Sequence, residues 1–308
     1  MDPRELRIVF MGTPEFARAS LARLVEAGCT IVGVVTAPDK PAGRGMKLRQ
    51  SAVKEYAVEH GLHVLQPEKL RNPVFLEELR ALKADIQVVV AFRMLPEMVW
   101  SMPPLGTINV HGSLLPDYRG AAPINWAVIH GEKETGVTTF RLQQEIDTGH
   151  ILMQERMPIG DHETAGEVHD RMKEIGAALL LRTIHAIADG TAKEIPQDTV
   201  KQEHTHAPKI HTETCRIDWT RGAKQIHDLV RGLSPHPAAF TTVQDKVFKI
   251  YDCIYEIAAH GLAPGTMTLR GGKLSFACTD GLIYPKTVQL EGKKKMVIDD
   301  FLRGFRDQ

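Results

Sequence analysis

The run IQVVVAF, Ile86 to Phe92, is apolar at every position except Gln87. A strand with one face in water alternates polar and apolar residues. A strand with no polar face has to be covered on both sides, as in the centre of a parallel sheet sandwiched by helices. The surrounding chain supplies such a sheet. RIVFMG (Arg7 to Gly12) is β-rich and ends in glycine, and Pro14 then opens a helical pattern with Phe16, Ala19, Leu21 and Leu24. TIVGVVT (Thr30 to Thr36) is the next strand. A helix over Ser51 to His60, a strand at His63 to Leu65 and a helix over Pro73 to Leu82 continue the alternation. TINVHGS and GVTTFRL add two strands, and a long helix over Thr164 to Ala188 closes the domain. This order predicts a doubly wound, Rossmann-like α/β domain with a mostly parallel sheet, residues 1–190.

After Gly190 the periodicity fades through GTAKEIPQDTVKQEHTHAPKIH, so 191–210 reads as a linker. A helix over Gly222 to Arg231 then precedes five short β-like runs between Phe240 and Leu290, separated by glycine turns. That pattern predicts a small C-terminal β-barrel, OB-like, over 211–308. Cys29, Cys215, Cys253 and Cys278 form no CxxC pair, which speaks against a zinc ribbon or a disulfide framework and fits a reducing cytoplasm. MDPRELRIVFMG has too short an apolar run for a signal peptide, and no stretch resembles a membrane span. Net charge is zero overall, but the hundred residues from Lys209 carry fifteen Lys and Arg against eleven Asp and Glu. Such a bias is a weak pointer to a polyanionic partner.

The first strand-to-helix turn, GTPEF, lacks the GxGxxG of dinucleotide binders, although open α/β sheets bind ligands beyond the carboxyl ends of their strands. NVHGSLLPDYRG is the more informative segment. Asn109 and His111 share one strand face because side chains alternate with period two. An amide and an imidazole at a strand end can polarise a carbonyl and move a proton near neutral pH. They can equally be a locally satisfied strand end. In EIDTGHIL, Asp147 and Gly149 lie in a turn, where an Asp is most often an Asx-turn residue; brought to His111, its carboxylate would orient and charge the imidazole. HTHAPKIH offers His204, His206 and His211, without the acidic or cysteine partner at fixed spacing that a metal site needs.

In this order, FMGTPEFA, APDKPAGRGMKL, NVHGSLLPDYRGAAPINWAV, TGVTTFRL, DTG and LSPHPAAF resemble the methionyl-tRNA formyltransferases, within the folate-dependent formyltransferases, over nearly the whole chain. The SLLP block with DTG marks folate-dependent formyltransferases generally; PAGRG and the tail domain narrow the resemblance to enzymes acting on initiator tRNA. PAGRG and the tail also count against a nucleotide-sugar or glycinamide ribonucleotide substrate. An intact trio counts against a non-catalytic RNA-binding protein.

The resemblance implies 10-formyltetrahydrofolate as donor, the amino group of initiator methionyl-tRNA as acceptor, and no metal. It places Asn109, His111 and Asp147 as the catalytic trio and Ser113, Leu114, Leu115 and Pro116 along the folate. Arg44, in the loop Asp39 to Lys47, would order on the acceptor stem. Lys293, Lys294 and Lys295, with Lys286, Arg303 and Arg306 nearby, would face tRNA phosphates. A cytoplasmic monomer that binds no membrane is expected. One departure, Phe92–Arg93 where the family commonly has tyrosine–glycine, falls near the expected pterin position.

Overall fold

A computed structural model describes residues 2, 4–42, 47–200 and 203–305. Two compact units emerge, Met1–Arg119 with Gly136–Met157 and His169–His206, and Gly120–Thr135 with Pro158–Val168 and Ala207–Gln308. Segments 120–135 and 158–168, expected with the first domain, therefore group with the second unit.

The chain runs β1 (Arg7–Gly12), α1 (Glu15–Glu26), β2 (Thr30–Val35), β3 (Lys40–Ala42), β4 (Lys47–Arg49), α2 (Ala52–Glu59), β5 (Val64–Leu65), α3 (Pro73–Ala81) and β6 (Ile86–Val90). It continues through α4 (Glu97–Trp100), β7 (Thr107–His111), β8 (Arg119–Gly120), α5 (Pro123–Ile129), β9 (Glu134–Arg141), β10 (Ile151–Pro158) and α6 (Ala165–Ala188). The remainder is β11 (His206–Ala207), α7 (Thr212–Cys215), α8 (Ala223–Gly232), β12 (Ala239–Val243), β13 (Lys246–Ile257), β14 (Met267–Arg270), β15 (Lys273–Ala277), β16 (Gly281–Leu290), β17 (Met296–Val297) and α9 (Ile298–Gly304).

In the first unit the sheet order is β10-β9-β7-β6-β1-β2-β5. Pairs β1–β2, β1–β6, β2–β5 and β6–β7 are parallel, and β9 lies antiparallel to β7. All five residues of β6 are buried, as its apolar run requires. Strand order reverses between β1 and β6, and ligands of such sheets bind beyond the carboxyl ends of the strands at that reversal. Gly12 closes β1 there. A Cβ on it would lie 2.5 Å from Ala17 Cβ and 2.9 Å from Val90 O, so only glycine fits.

Helix boundaries follow local chemistry. Ser51 caps α2 by accepting the Lys54 N–H, and Asn72 caps α3 by accepting the Val74 N–H with Pro73 in the first turn. Thr164 and Glu167 form a reciprocal capping box ahead of α6. Along α1, Phe16, Ala17, Ser20, Leu21 and Leu24 are buried at helical spacing. Each fully buried Leu, Ile or Phe contributes about 1.5–3 kcal/mol.

The second unit holds a six-stranded sheet, order β12-β13-β16-β15-β14, with β17 on β16; its described pairings are antiparallel. Register shifts between Ile250 and Cys253 bend the long β13, as bulges do. Phe248, Phe276 and Ile226 centre its core. Among the described residues the pairing path runs from β12 to β14 without a closing pair.

The expected linker is not a loose tether. Ile195 bridges Ile151 through two 2.9 Å backbone hydrogen bonds, and Gln197 is only 3 % exposed. Ile195 and Gln197 are held by specific hydrogen bonds, which leave no hydrophobic period.

Candidate active site

Strand β7 brings Asn109 opposite Phe140 and His111 opposite Thr138, next to the reversal of strand order. His111 is buried and Asn109 half-buried. The His111 Nε2–H donates to the Tyr118 carbonyl at 2.9 Å. A carbonyl only accepts, so neutral His111 keeps its proton on Nε2 and leaves Nδ1 as the atom that exchanges one. Nδ1 lies 3.7 Å from Asp147 Oδ2, with both side chains mostly sheltered from water. The structure thus brings together the imidazole and carboxylate that sequence spacing alone did not join. Among the described residues the Asn109 amide has no hydrogen-bond partner, so it is available to a ligand atom at the end of β7. Phe140 meets the imidazole edge-on, with ring centroids 6.4 Å apart.

Two backbone positions give this geometry its form. Tyr118 and Asp147 adopt left-handed φ of 60° and 54°, each disfavoured for a residue with a Cβ. Such strain persists only where surroundings over-determine it. At Gly149, a Cβ would fall 1.6 Å from Arg141 O, so the DTG turn passes too close to β9 for any other residue.

Residues 113–116 are fixed from beneath by Thr138, which is fully buried. Its hydroxyl donates to Ser113 O at 2.7 Å and accepts from Leu115 N–H at 3.0 Å and Gln154 Nε2 at 2.9 Å. Ser113 Oγ donates to Asp117 O at 2.6 Å. Ser113, Leu115 and Pro116 are buried and Leu114 half-buried. Leu115, Phe140 and Ile151 form a small apolar cluster with Leu142 against it. The segment is therefore held in place over a buried apolar cluster, and the Ser113 hydroxyl is already engaged.

Arg119 donates from Nε and Nη2 to Gln197 Oε1 at 3.0 and 2.6 Å, and from Nη1 to His204 Nε2 at 3.1 Å. Burial lowers the Arg119 pKa, opposed by the negative charges of Asp147 and Glu145. His204, one of the candidate metal ligands, is thus an acceptor for arginine and stacks edge-on with His206. Among the described residues no group of three or more His, Cys, Asp and Glu is arranged to hold a metal ion.

Arg93 donates to Glu68 O at 2.7 Å and to Pro67 O, with Phe92 under its guanidinium. A pocket of about 370 Å³ opens beside it, lined by Lys69, Leu70, Arg71, Met94, Leu95 and Pro96. Arg44 and Arg306 lie outside the described residues. Lys293, Lys294 and Lys295 are exposed in the turn between β16 and β17, with the Lys295 ammonium 4.3 Å from the Tyr251 ring centroid. Lys286 is exposed on β16, whereas Arg303 pairs with Asp300 on α9. Sequence reasoning missed Tyr118, Thr138, Gln154, Arg119 and Gln197; Tyr118 and Arg119 lie just after the SLLP segment, and no sequence signal marked Gln197.

The chain matches the formyl transferase family over residues 6–184 and the formyl transferase C-terminal domain over 209–306. It is 51% identical over 313 residues to the methionyl-tRNA formyltransferase of Bacteroides fragilis, covering 99% of this chain and 97% of that one. With the methionyl-tRNA formyltransferase of Phocaeicola vulgatus it shares 55% identity over 316 residues, covering 99% and 98%. Among solved structures, it is similar to WlaRD, a sugar 3N-formyl transferase crystallised with dTDP and 5-N-formyl-THF. The TM-score is 0.67 at 18% identity, covering 94% of this chain and 99% of that one. HypX from Aquifex aeolicus in complex with tetrahydrofolic acid matches with TM-score 0.66 at 20% identity, covering 97% of this chain and 47% of that one. The two structural likenesses speak to the fold.

Proposed function

This chain belongs to the formyl transferase family, among the methionyl-tRNA formyltransferases, and we propose that Asn109, His111 and Asp147 carry its reaction. The reaction moves a formyl group from 10-formyltetrahydrofolate to the amino group of methionyl-tRNA, for translation initiation. One observation carries the site assignment: an imidazole locked at Nε2 by Tyr118 O, with Nδ1 facing Asp147, beside the unpartnered Asn109 amide.

The donor supplies an activated acyl carbon. The residues present suit it, since the half-buried Asn109 amide, without a partner among the described residues, stands on the same strand as His111. Asn109 donates to the formyl oxygen and holds it more strongly as that oxygen gains charge during attack by the amine. His111, when protonated, carries its second N–H at Nδ1 toward Asp147 and sets positive charge beside the developing oxyanion. Asp147 holds that proton in line and relays the amine's proton toward the folate nitrogen as the carbon–nitrogen bond breaks. Ser113, Leu114, Leu115 and Pro116 wall the donor through shape and backbone.

Arg44 and the Lys293–Lys295 turn engage the tRNA, the first at the acceptor stem and the second through phosphates; the exposure of the three lysines supports the latter. The enzyme works as a cytoplasmic monomer; no helix among the described residues is long and apolar enough to cross a membrane. The test is formyl transfer to charged initiator tRNA, with elongator methionyl-tRNA and free methionine as controls. Transfer confined to the initiator supports the reading, and none to any acceptor sinks it.

A further inference from the structure

We propose that Gln197 is a positioning residue for the His111–Asp147 pair, and that the segment read as a linker forms the back wall of the active site. This rests on the formyl-transfer reading above. Gln197 is 3 % exposed, and its amide is saturated. Nε2 donates to Asp147 O at 2.8 Å and Gly149 O at 2.7 Å, and Oε1 accepts both Arg119 bonds. A side-chain amide has two donors and two acceptor lone pairs, and all four are used.

The bonds reach both holders of the imidazole. On one side Gln197 fixes the carbonyls of Asp147 and Gly149, and so the turn in which Asp147 is strained at φ 54°. On the other it grips Arg119, which directly follows Tyr118, whose carbonyl receives the His111 proton. The same segment reinforces both ends. Thr205 O accepts the Tyr118 N–H at 2.6 Å, and Thr205 N–H donates to Asp117 Oδ1 at 2.9 Å. Glu194 binds Arg141 at 2.6 Å and His150 at 3.2 Å, spanning the 142–149 loop at its two feet. Gln197 contacts the backbone of Asp147 itself while also holding Arg119. Rotation of the Asp147 turn would carry the carboxylate away from Nδ1, and mispositioning of about 1 Å is enough to cost about 10²-fold in rate.

Only a group with two donors and two acceptors satisfies this position. Gln197→Glu keeps the acceptors for Arg119 but turns carboxylate oxygens toward two carbonyls, so the strap stays paired while the turn is released. Gln197→Leu removes all four bonds. Ile195→Pro removes the Ile195 N–H bond to Ile151 O and so loosens the same strap without touching the turn. Steady-state kinetics are measured for each variant with both substrates, alongside thermal midpoints. The expected result for Gln197→Glu and Gln197→Leu is a fall in kcat of at least tenfold, with both KM values within twofold of wild type. Ile195→Pro should lower the midpoint and leave kcat within twofold. A folded Gln197→Glu enzyme with kcat near wild type overturns the proposal, as does a rise in KM at constant kcat. An equal kcat loss in Ile195→Pro also overturns it, because general slackness would then suffice. Should Gln197→Leu not fold, Gln197→Glu carries the decision; should neither fold, the residue serves the fold and the proposal falls. Wild-type enzyme inactive on every acceptor would refute the formyl-transfer reading instead.

Discussion

Replacing Asp228 by Asn should expose how a buried ionic cluster holds the second unit together. Asp228 lies on α8 and is 4 % exposed. Its carboxylate meets Arg231 Nε at 2.7 Å, Lys224 Nζ at 2.6 Å and His227 Nδ1 at 3.7 Å. Burial works to raise its pKa; hydrogen bonds from His227, Lys224 and Arg231 and the Arg231 charge overcome this and hold it at about 2, against an ordinary 3.8. Because the folded value is depressed, the stabilisation is present above pH 3.8 and is lost as pH falls through about 2. The difference corresponds to about 2 kcal/mol. Asn removes that charge and also leaves Arg231, itself 4 % exposed, without a counter-ion, although Arg231 still donates to Gly160 O and Glu163 O. Breaking a buried pair in this way costs about 3–5 kcal/mol. The assay is urea unfolding of wild type and Asp228→Asn, followed by tryptophan fluorescence, at pH 7 and at steps down to pH 2. The variant should be at least about 3 kcal/mol less stable at pH 7, and the gap should narrow between pH 4 and pH 2. A gap below about 1 kcal/mol, the scale of an exposed pair, or one constant with pH, would refute the reasoning.

His111→Ala and Asp147→Asn should each slow single-turnover transfer at saturating tRNA by about 10²–10⁴-fold. Since they act as a unit, the double variant should be little worse than the slower single; multiplied losses would mean separate roles. Lys293, Lys294 and Lys295 all changed to Glu should weaken tRNA binding and flatten its fall with salt, measured by filter binding from low to physiological salt. An unchanged slope would make these lysines a solubilising surface. Arg44→Ala should cut transfer to initiator methionyl-tRNA while sparing folate binding by titration calorimetry, and lost folate binding would place Arg44 at the donor.

What the sequence made legible, and what it hid, divides by the kind of force involved. IQVVVAF gave away β6 because burial on both faces leaves no polar position, and Pro14, Ser51 and Pro73 marked helix starts through capping chemistry. The β10 strand was hidden, since beyond the apolar Ile151 and Leu152 three of its six residues are polar and only Met157 is buried. The β3–β4 hairpin was hidden too, because three-residue strands have no period to read. Asn109 and His111 were readable as one strand face, but Asp147 reached them only through the family pattern. Its approach depends on a left-handed φ at Asp147 and on the absence of a Cβ at Gly149, which the close approach of Arg141 O requires. Gln197 is the extreme case. Its neighbours are polar, its segment has no amphipathic face, and its burial is bought entirely with hydrogen bonds to residues 48 to 78 positions away. A hydrophobic pattern records apolar burial and is silent about polar groups that saturate one another. In this chain Asn109 and His111, the proposed reacting groups, sit on a strand that pattern can find, while Gln197, proposed to hold the Asp147 turn, lies where it reports only a linker.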